Sequence, residues 1–180
     1  MLAPQKYSRG FTLVELVIAV SIFSALVMIL GGMTISAIKF QRTALATQAV
    51  LDNSRSVLEI MGRDIRLAAK DDDGNCVASR TNYEATGGNE LKFENDRGKC
   101  TRYYVLNGEL KRDIDAVPET LTAAETIRVD SLNFVVFGES GDDKTQPRVL
   151  IRLKVSAAEA DLGVNISLQT TLTQRELDVQ

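Results

Sequence analysis

From Phe11 to Ile38 the chain carries a single formal charge, Glu15, within an otherwise apolar and small-residue run. As a helix those residues would extend about 42 Å at ~1.5 Å per residue, more than a ~30 Å hydrocarbon layer requires. The run therefore predicts a membrane-crossing helix over 11–38. Beyond Lys39 the pattern changes without a break signal. Ala44, Leu51, Leu58 and Ile65 recur every seven residues, with Met61 and Ala68 three residues after the last two. This predicts an amphipathic helix over 39–70 whose narrow apolar stripe faces a head domain. A coiled coil with another chain is the competing reading, but there are fewer than four clean heptads. Glu59 and Arg63 stand in the favourable i,i+4 order on the outer side. "KDDDGN" (70–75) should stop the helix at Gly74. Gly31-Gly32 costs about 1 kcal/mol per glycine relative to alanine. It marks either a local bend or unwinding, or close helix packing.

After Asn75 the period shortens to two. "ELKFEN" alternates, and "TRYYVLNGELKRDI" reads as a hairpin around Asn107-Gly108, the pair a type I′ turn requires. "ETIRVDSLNFVVF", "RVLIRLKVS" and "GVNISLQTTLTQREL" follow, joined by polar linkers. Four or five antiparallel strands after one long helix give an α+β head over 71–180, with the sheet packed on the helix stripe.

Charge sharpens the membrane reading. Lys6 and Arg9 precede the apolar run and no acid does, so the N-terminus is expected in the cytoplasm and the head in the periplasm. The rest of the chain is net acidic and shows no basic patch, so nucleic acid is not expected as a partner. Both cysteines, Cys76 and Cys100, lie beyond the apolar run, in neither CxxC nor metal-like spacing. In an oxidising compartment they are expected to pair, stabilising by about 3–4 kcal/mol in the chain-entropy picture. Two unpaired core thiols are the alternative.

Candidate chemistry is sparse. With no histidine there is no Ser-His or Cys-His set and no histidine metal site. No phosphate-binding glycine loop occurs, and Gly87-Gly88 reads as a turn. Asp71, Asp72 and Asp73, and also Asp142 and Asp143, are acidic enough to invite calcium. Neither run matches an EF-hand loop, and acidic loops are more often solvated turns. Tyr83, Tyr103 and Tyr104 read as sheet or core aromatics. The expectation is a chain that is not an enzyme and holds no metal or cofactor.

Glu15 remains unexplained, since a charge at the centre of a lone membrane helix costs at least ~2.5–3.5 kcal/mol. A cleaved secretory signal fits poorly, because the apolar run is about twice the 7–15 residues of such a signal. A plain signal anchor explains length and orientation but leaves Glu15 as a cost, eased by the helix dipole. The segment "KYSRGFTLVELVIAV" closely resembles the prepilin signal of type IV pilins and type II secretion pseudopilins. The match lies at Gly10, Phe11, Thr12, Leu13 and Glu15, with Lys6 and Arg9 in the leader.

That resemblance implies a mechanism. A membrane prepilin peptidase would remove leader 1–10 by cutting between Gly10 and Phe11, and would N-methylate the new Phe11 amine. The helix over 11–38 stays attached. Glu15 would pair with the Phe11 amine of a neighbouring subunit. The implied architecture is the family's lollipop, a long helix bearing a sheet-rich head. The implied partners are the peptidase, other pilin or pseudopilin subunits, the inner-membrane assembly platform and membrane lipid. "MGRDIRLAA", "VDSLNFVVF", "RVLIRLKVS" and "LQTTLTQREL" bear a softer likeness to large minor pilins of the PilW type and to J-type pseudopilins.

Overall fold

The computed structural model describes residues 10–140 and 145–175. The chain divides into two compact units, Met1–Arg42 and Thr43–Gln180. One helix, α1 (Leu13–Arg66), supplies the first unit's regular structure and the opening of the second. Its most apolar window has a mean hydropathy of 2.7, and none of that window is buried. A helix so apolar and so uncovered suits a lipid environment rather than a protein core.

In the second unit, α1 buries Val50, Ser54, Val57, Met61 and Ile65. The buried stripe is therefore centred one position before the heptad leucines. Leu51 and Leu58 flank it, half-buried, and so does Ala44. The reason is Ser54, a polar residue at zero exposure whose hydroxyl donates to the Val50 carbonyl at 2.6 Å. A serine satisfied inside its own helix can occupy a core position, and a pattern of apolar letters passes over it.

The helix also stops four residues earlier than expected, at Arg66 rather than Lys70. Its last carbonyls are taken by distant groups. The Tyr83 hydroxyl donates to Ile65 O at 2.6 Å, the Arg175 N–H to Arg66 O at 2.9 Å, and Gln174 Nε2 to Ala68 O at 2.8 Å. The Ala69 N–H turns to Glu94 O. These tertiary caps replace the local glycine cap.

Among the described residues the head has eight strands in two antiparallel sheets, not four or five in one. The first is the meander β1 (Glu84–Thr86), β2 (Glu90–Glu94), β3 (Cys100–Leu106), β4 (Glu109–Ile114) and β5 (Val117–Thr120). The second is β6 (Ile127–Phe137), β7 (Arg148–Ala157) and β8 (Asn165–Thr173). β1 and β5 are too short to show a periodicity. Asn107 and Gly108 take φ of 56° and 79°, the two positive values a type I′ hairpin needs between β3 and β4. Alternate residues of β7, from Val149 to Val155, enter the core. There they join α1 and the aromatic set Tyr83, Phe93 and Tyr103. Phe93 meets Tyr83 edge-on at 5.9 Å and stacks on Tyr103 at 6.1 Å. Tyr104 instead points outward under the Arg102 guanidinium, 4.4 Å from its ring centre. Cys76 and Cys100 form a disulfide tying the loop after α1 to the start of β3.

Candidate functional site

The site named by the sequence is the N-terminal stretch, and it is built around the start of α1. Gly10, Phe11 and Thr12 precede the helix in non-helical, exposed backbone, and Phe11 is 76% exposed. A Cβ built on Gly10 meets nothing within 4 Å. The fold therefore places no demand on glycine there, and any demand must come from whatever handles the segment. Lys6 and Arg9 lie outside the described residues.

Thr12 caps the helix. Its hydroxyl accepts the Glu15 N–H at 3.3 Å, and its carbonyl accepts the Leu16 N–H at 3.2 Å. Thr12-Leu13-Val14-Glu15 thus has the spacing of a capping box, with Glu15 at the third helical position. Its carboxylate lies in the first turn, where unpaired amides and the helix dipole favour negative charge. That pattern was readable in the sequence and gives Glu15 a local role besides any partner.

Farther along, the polar residues of the apolar run are satisfied internally. Ser21 donates to Val17 O, Ser24 to Val20 O, Thr34 to Leu30 O and Ser36 to Gly32 O, at 2.6–3.0 Å. Every one of these hydroxyls is spent within its own turn, as hydrocarbon surroundings require. The helix is unbroken at Gly31-Gly32, so unwinding there is not a feature of this chain alone. A Cβ at either glycine meets nothing within 4 Å, leaving a shallow, open spot on the helix surface.

In the head, the acidic run does not offer calcium a free carboxylate at Asp71. Asp71 is fully buried and accepts four backbone N–H groups, those of Gly74 and Asn75 on Oδ1 and of Cys76 and Val77 on Oδ2. Burial opposes its charge, but the amide donors outweigh it and hold the carboxyl below its usual range. Neighbouring Glu94 is pushed the other way, by burial and then by the charges of Asp71 and Asp73. Asp142 and Asp143 lie outside the described residues. A second polar centre joins α1 to the first sheet. The buried Tyr103 hydroxyl donates to Asp64 Oδ2 at 2.6 Å, and Arg112 Nη1 donates to the same oxygen at 2.7 Å while its other end holds Glu119. No sequence signal links these residues, which lie 39 and 48 positions apart.

Comparison with known proteins adds one positive finding. A family model described as the prokaryotic N-terminal methylation motif matches residues 5–31. The match spans Lys6, Arg9, Gly10, Phe11, Glu15 and the first part of α1. No curated protein and no solved structure matches the chain. The chain carries a prepilin-type N-terminal methylation motif, on a helix apolar and long enough to cross a membrane.

Proposed function

We propose that this protein is a minor pilin or pseudopilin, a non-enzymatic subunit of a type IV pilus or type II secretion pseudopilus. The observation that supports it is the methylation motif running from the leader into the first part of a capped, uncovered apolar helix. In this reading the leader stays cytoplasmic and the head is periplasmic. Prepilin peptidase cuts between Gly10 and Phe11 in the inner membrane and methylates the Phe11 amine. The assembly platform then moves the subunit into a filament, where the apolar half of α1 packs among other subunits' helices. The head's share of sheet and its modest size suit a priming or tip subunit.

Mass spectrometry of the chain purified from cells with active peptidase tests the processing. The expected product lacks residues 1–10 and carries one added methyl group on Phe11. An intact leader would remove the filament reading.

Glu15 has two readings, because its place in the first turn of α1, in a T-x-x-E spacing, favours its charge without a neighbour. That observation favours the second reading of the protein, a single-pass anchored binding module that never polymerises. Glu15→Ala and Glu15→Gln separate the two. If Glu15 pairs with a neighbour's amine, both variants are cleaved and inserted but enter filaments at least ~10-fold less, since a lost pair in low dielectric exceeds ~1.4 kcal/mol. Glutamine retains a capping side chain, so recovery by Glu15→Gln alone would assign the residue to capping.

A further inference from the structure

Two sheets leave four outer strands; the edge of β6 is hydrogen-bonded, and β1 and β5 are only three and four residues long. β6 donates its outward Val129 and Phe134 N–H groups to the carbonyls of Gly108 and Gly88, at 2.7 and 2.6 Å. The first sheet meets β6 on that side, and its β1 has only three residues. β5 is four residues long, and the hydrogen bond from Leu121 N to Leu110 O sets its frame. That frame turns the nitrogen of Pro118 to the free side, where it can donate nothing.

β8 is different. It has nine residues, and its frame is fixed by the bonds from Gln174 N to Pro147 O and from Ala157 N to Val164 O. Antiparallel alternation then points the backbone N–H and C=O of Ser167, Gln169, Thr171 and Thr173 away from β7. Their side chains are exposed, and among the described residues no backbone pairs with this edge. Beside it, an open groove of about 770 Å³ lies between α1 and the C-terminal half of β8. Leu58 and Leu172 contribute apolar lining, and Arg63, Arg66 and Arg175 gather where both elements end. Arg63 lies 3.8 Å from Asp64, whereas Arg66 and Arg175 make no ion pair among the described residues. Among the described residues Glu59 is the one acid in the groove wall.

We infer that this edge and groove receive an extended segment of a different protein chain, added as a strand to β8 with acidic residues against Arg66 and Arg175. A row of outward peptide groups is satisfied best by another backbone, which a lipid does not offer. A second copy of this chain fits less well. Its other edges are short or already hydrogen-bonded, and its own β8, "NISLQTTLT", has no acid to meet the arginines. The occupant should alternate apolar residues facing α1 with polar residues facing water, and carry its carboxylates at the arginine end. The inference does not depend on the filament reading, since it concerns the head alone.

The probe is a short synthetic peptide of alternating valine and threonine bearing two aspartates at one end, titrated against the full chain in detergent. A matching peptide ending in two lysines is the control. Saturable binding of the acidic peptide is expected, with at least ~10-fold preference over the lysine peptide. Thr171→Pro removes an outward N–H without touching the β7 ladder, and should weaken binding at least ~10-fold. The pair Arg66→Glu and Arg175→Glu, exposed and outside the core, should reverse the charge preference, and it carries the test if Thr171→Pro misfolds. Equal binding by a folded Thr171→Pro, or no saturable binding by the unaltered chain, overturns the inference. So does a dimer seen by light scattering that Thr171→Pro dissolves, which would give the edge to a second copy. Binding that emerges only after removal of residues 176–180 would give it to the chain's own tail.

Discussion

Replacing Asp71 with alanine should destabilise the head by about 2–4 kcal/mol, because a buried donor left without a partner costs roughly 1–3 kcal/mol. Of its four donors, Gly74 and Asn75 lie in exposed backbone and can turn to water. Val77 is buried and Cys76 half-buried, and these two carry most of the penalty. Denaturant unfolding of the full chain in detergent measures it, and an unchanged midpoint would discard the role given to Asp71. Asp71→Asn, which keeps one oxygen acceptor, should fall between. The pH dependence has two opposed parts. The folded carboxyl of Asp71 titrates below its unfolded value, so its contribution is present above the ordinary carboxylate range and lost as pH falls beneath it. Glu94 is raised, so its contribution is present at low pH and lost as pH rises through its folded pKa. Acidification from neutrality should first raise head stability slightly and then lower it, and Asp71→Asn should flatten both limbs.

Arg112→Ala is expected to cost about 2–3 kcal/mol, below the ~3–5 kcal/mol of a fully buried broken pair. The discount reflects side chains that retain some solvent, 15% for Arg112 and 17% for Asp64. The loss leaves Asp64, between α1 and the sheet, with the Tyr103 hydroxyl and the exposed Arg63 guanidinium 3.8 Å away. Burial and then that carboxylate already push the Tyr103 phenol well above its ordinary pKa, so it stays a donor at neutral pH. Glu119 loses its partner too, but at 55% exposure it recovers water. Asp64→Asn in the Arg112→Ala background should restore part of the stability, because the amide oxygen still accepts from Tyr103 with no unpaired charge. Additive losses in that cycle would mean that Asp64 and Arg112 are not coupled.

Residues that declare themselves locally were legible in the sequence. The apolar run needs no tertiary information, and Asn107-Gly108 names its own turn. The α+β class followed from one long helical pattern ahead of several alternating ones. What escaped depends on partners far along the chain. Ser54 passes as an interruption in the stripe until its bond to Val50 O is seen. The end of α1 is fixed by Tyr83, Gln174 and Arg175 rather than by the DDDG run, so no local rule locates it. The division into two sheets rests on short β1 and β5 and on the Gly88 and Gly108 carbonyls, none of which alters a periodicity. At the N-terminal site the motif itself was plain. The Thr12 cap beside it was also written in the sequence, in the T-x-x-E spacing, and was eclipsed by the question of the charge.

The capping of α1 by Gln174 and Arg175 sets a timetable for synthesis. The carbonyls of Arg66 and Ala68 wait for donors more than 100 residues later, as the separation of 106 between Ala68 and Gln174 shows. Until those residues have been made, the face of α1 around Gly62, which meets Leu172, stays wet, and the second sheet lacks its outer strand. Closure of so long a loop is slow compared with local hairpins. For that interval the chain is a long helix with an unfinished head, open to chaperones and proteases.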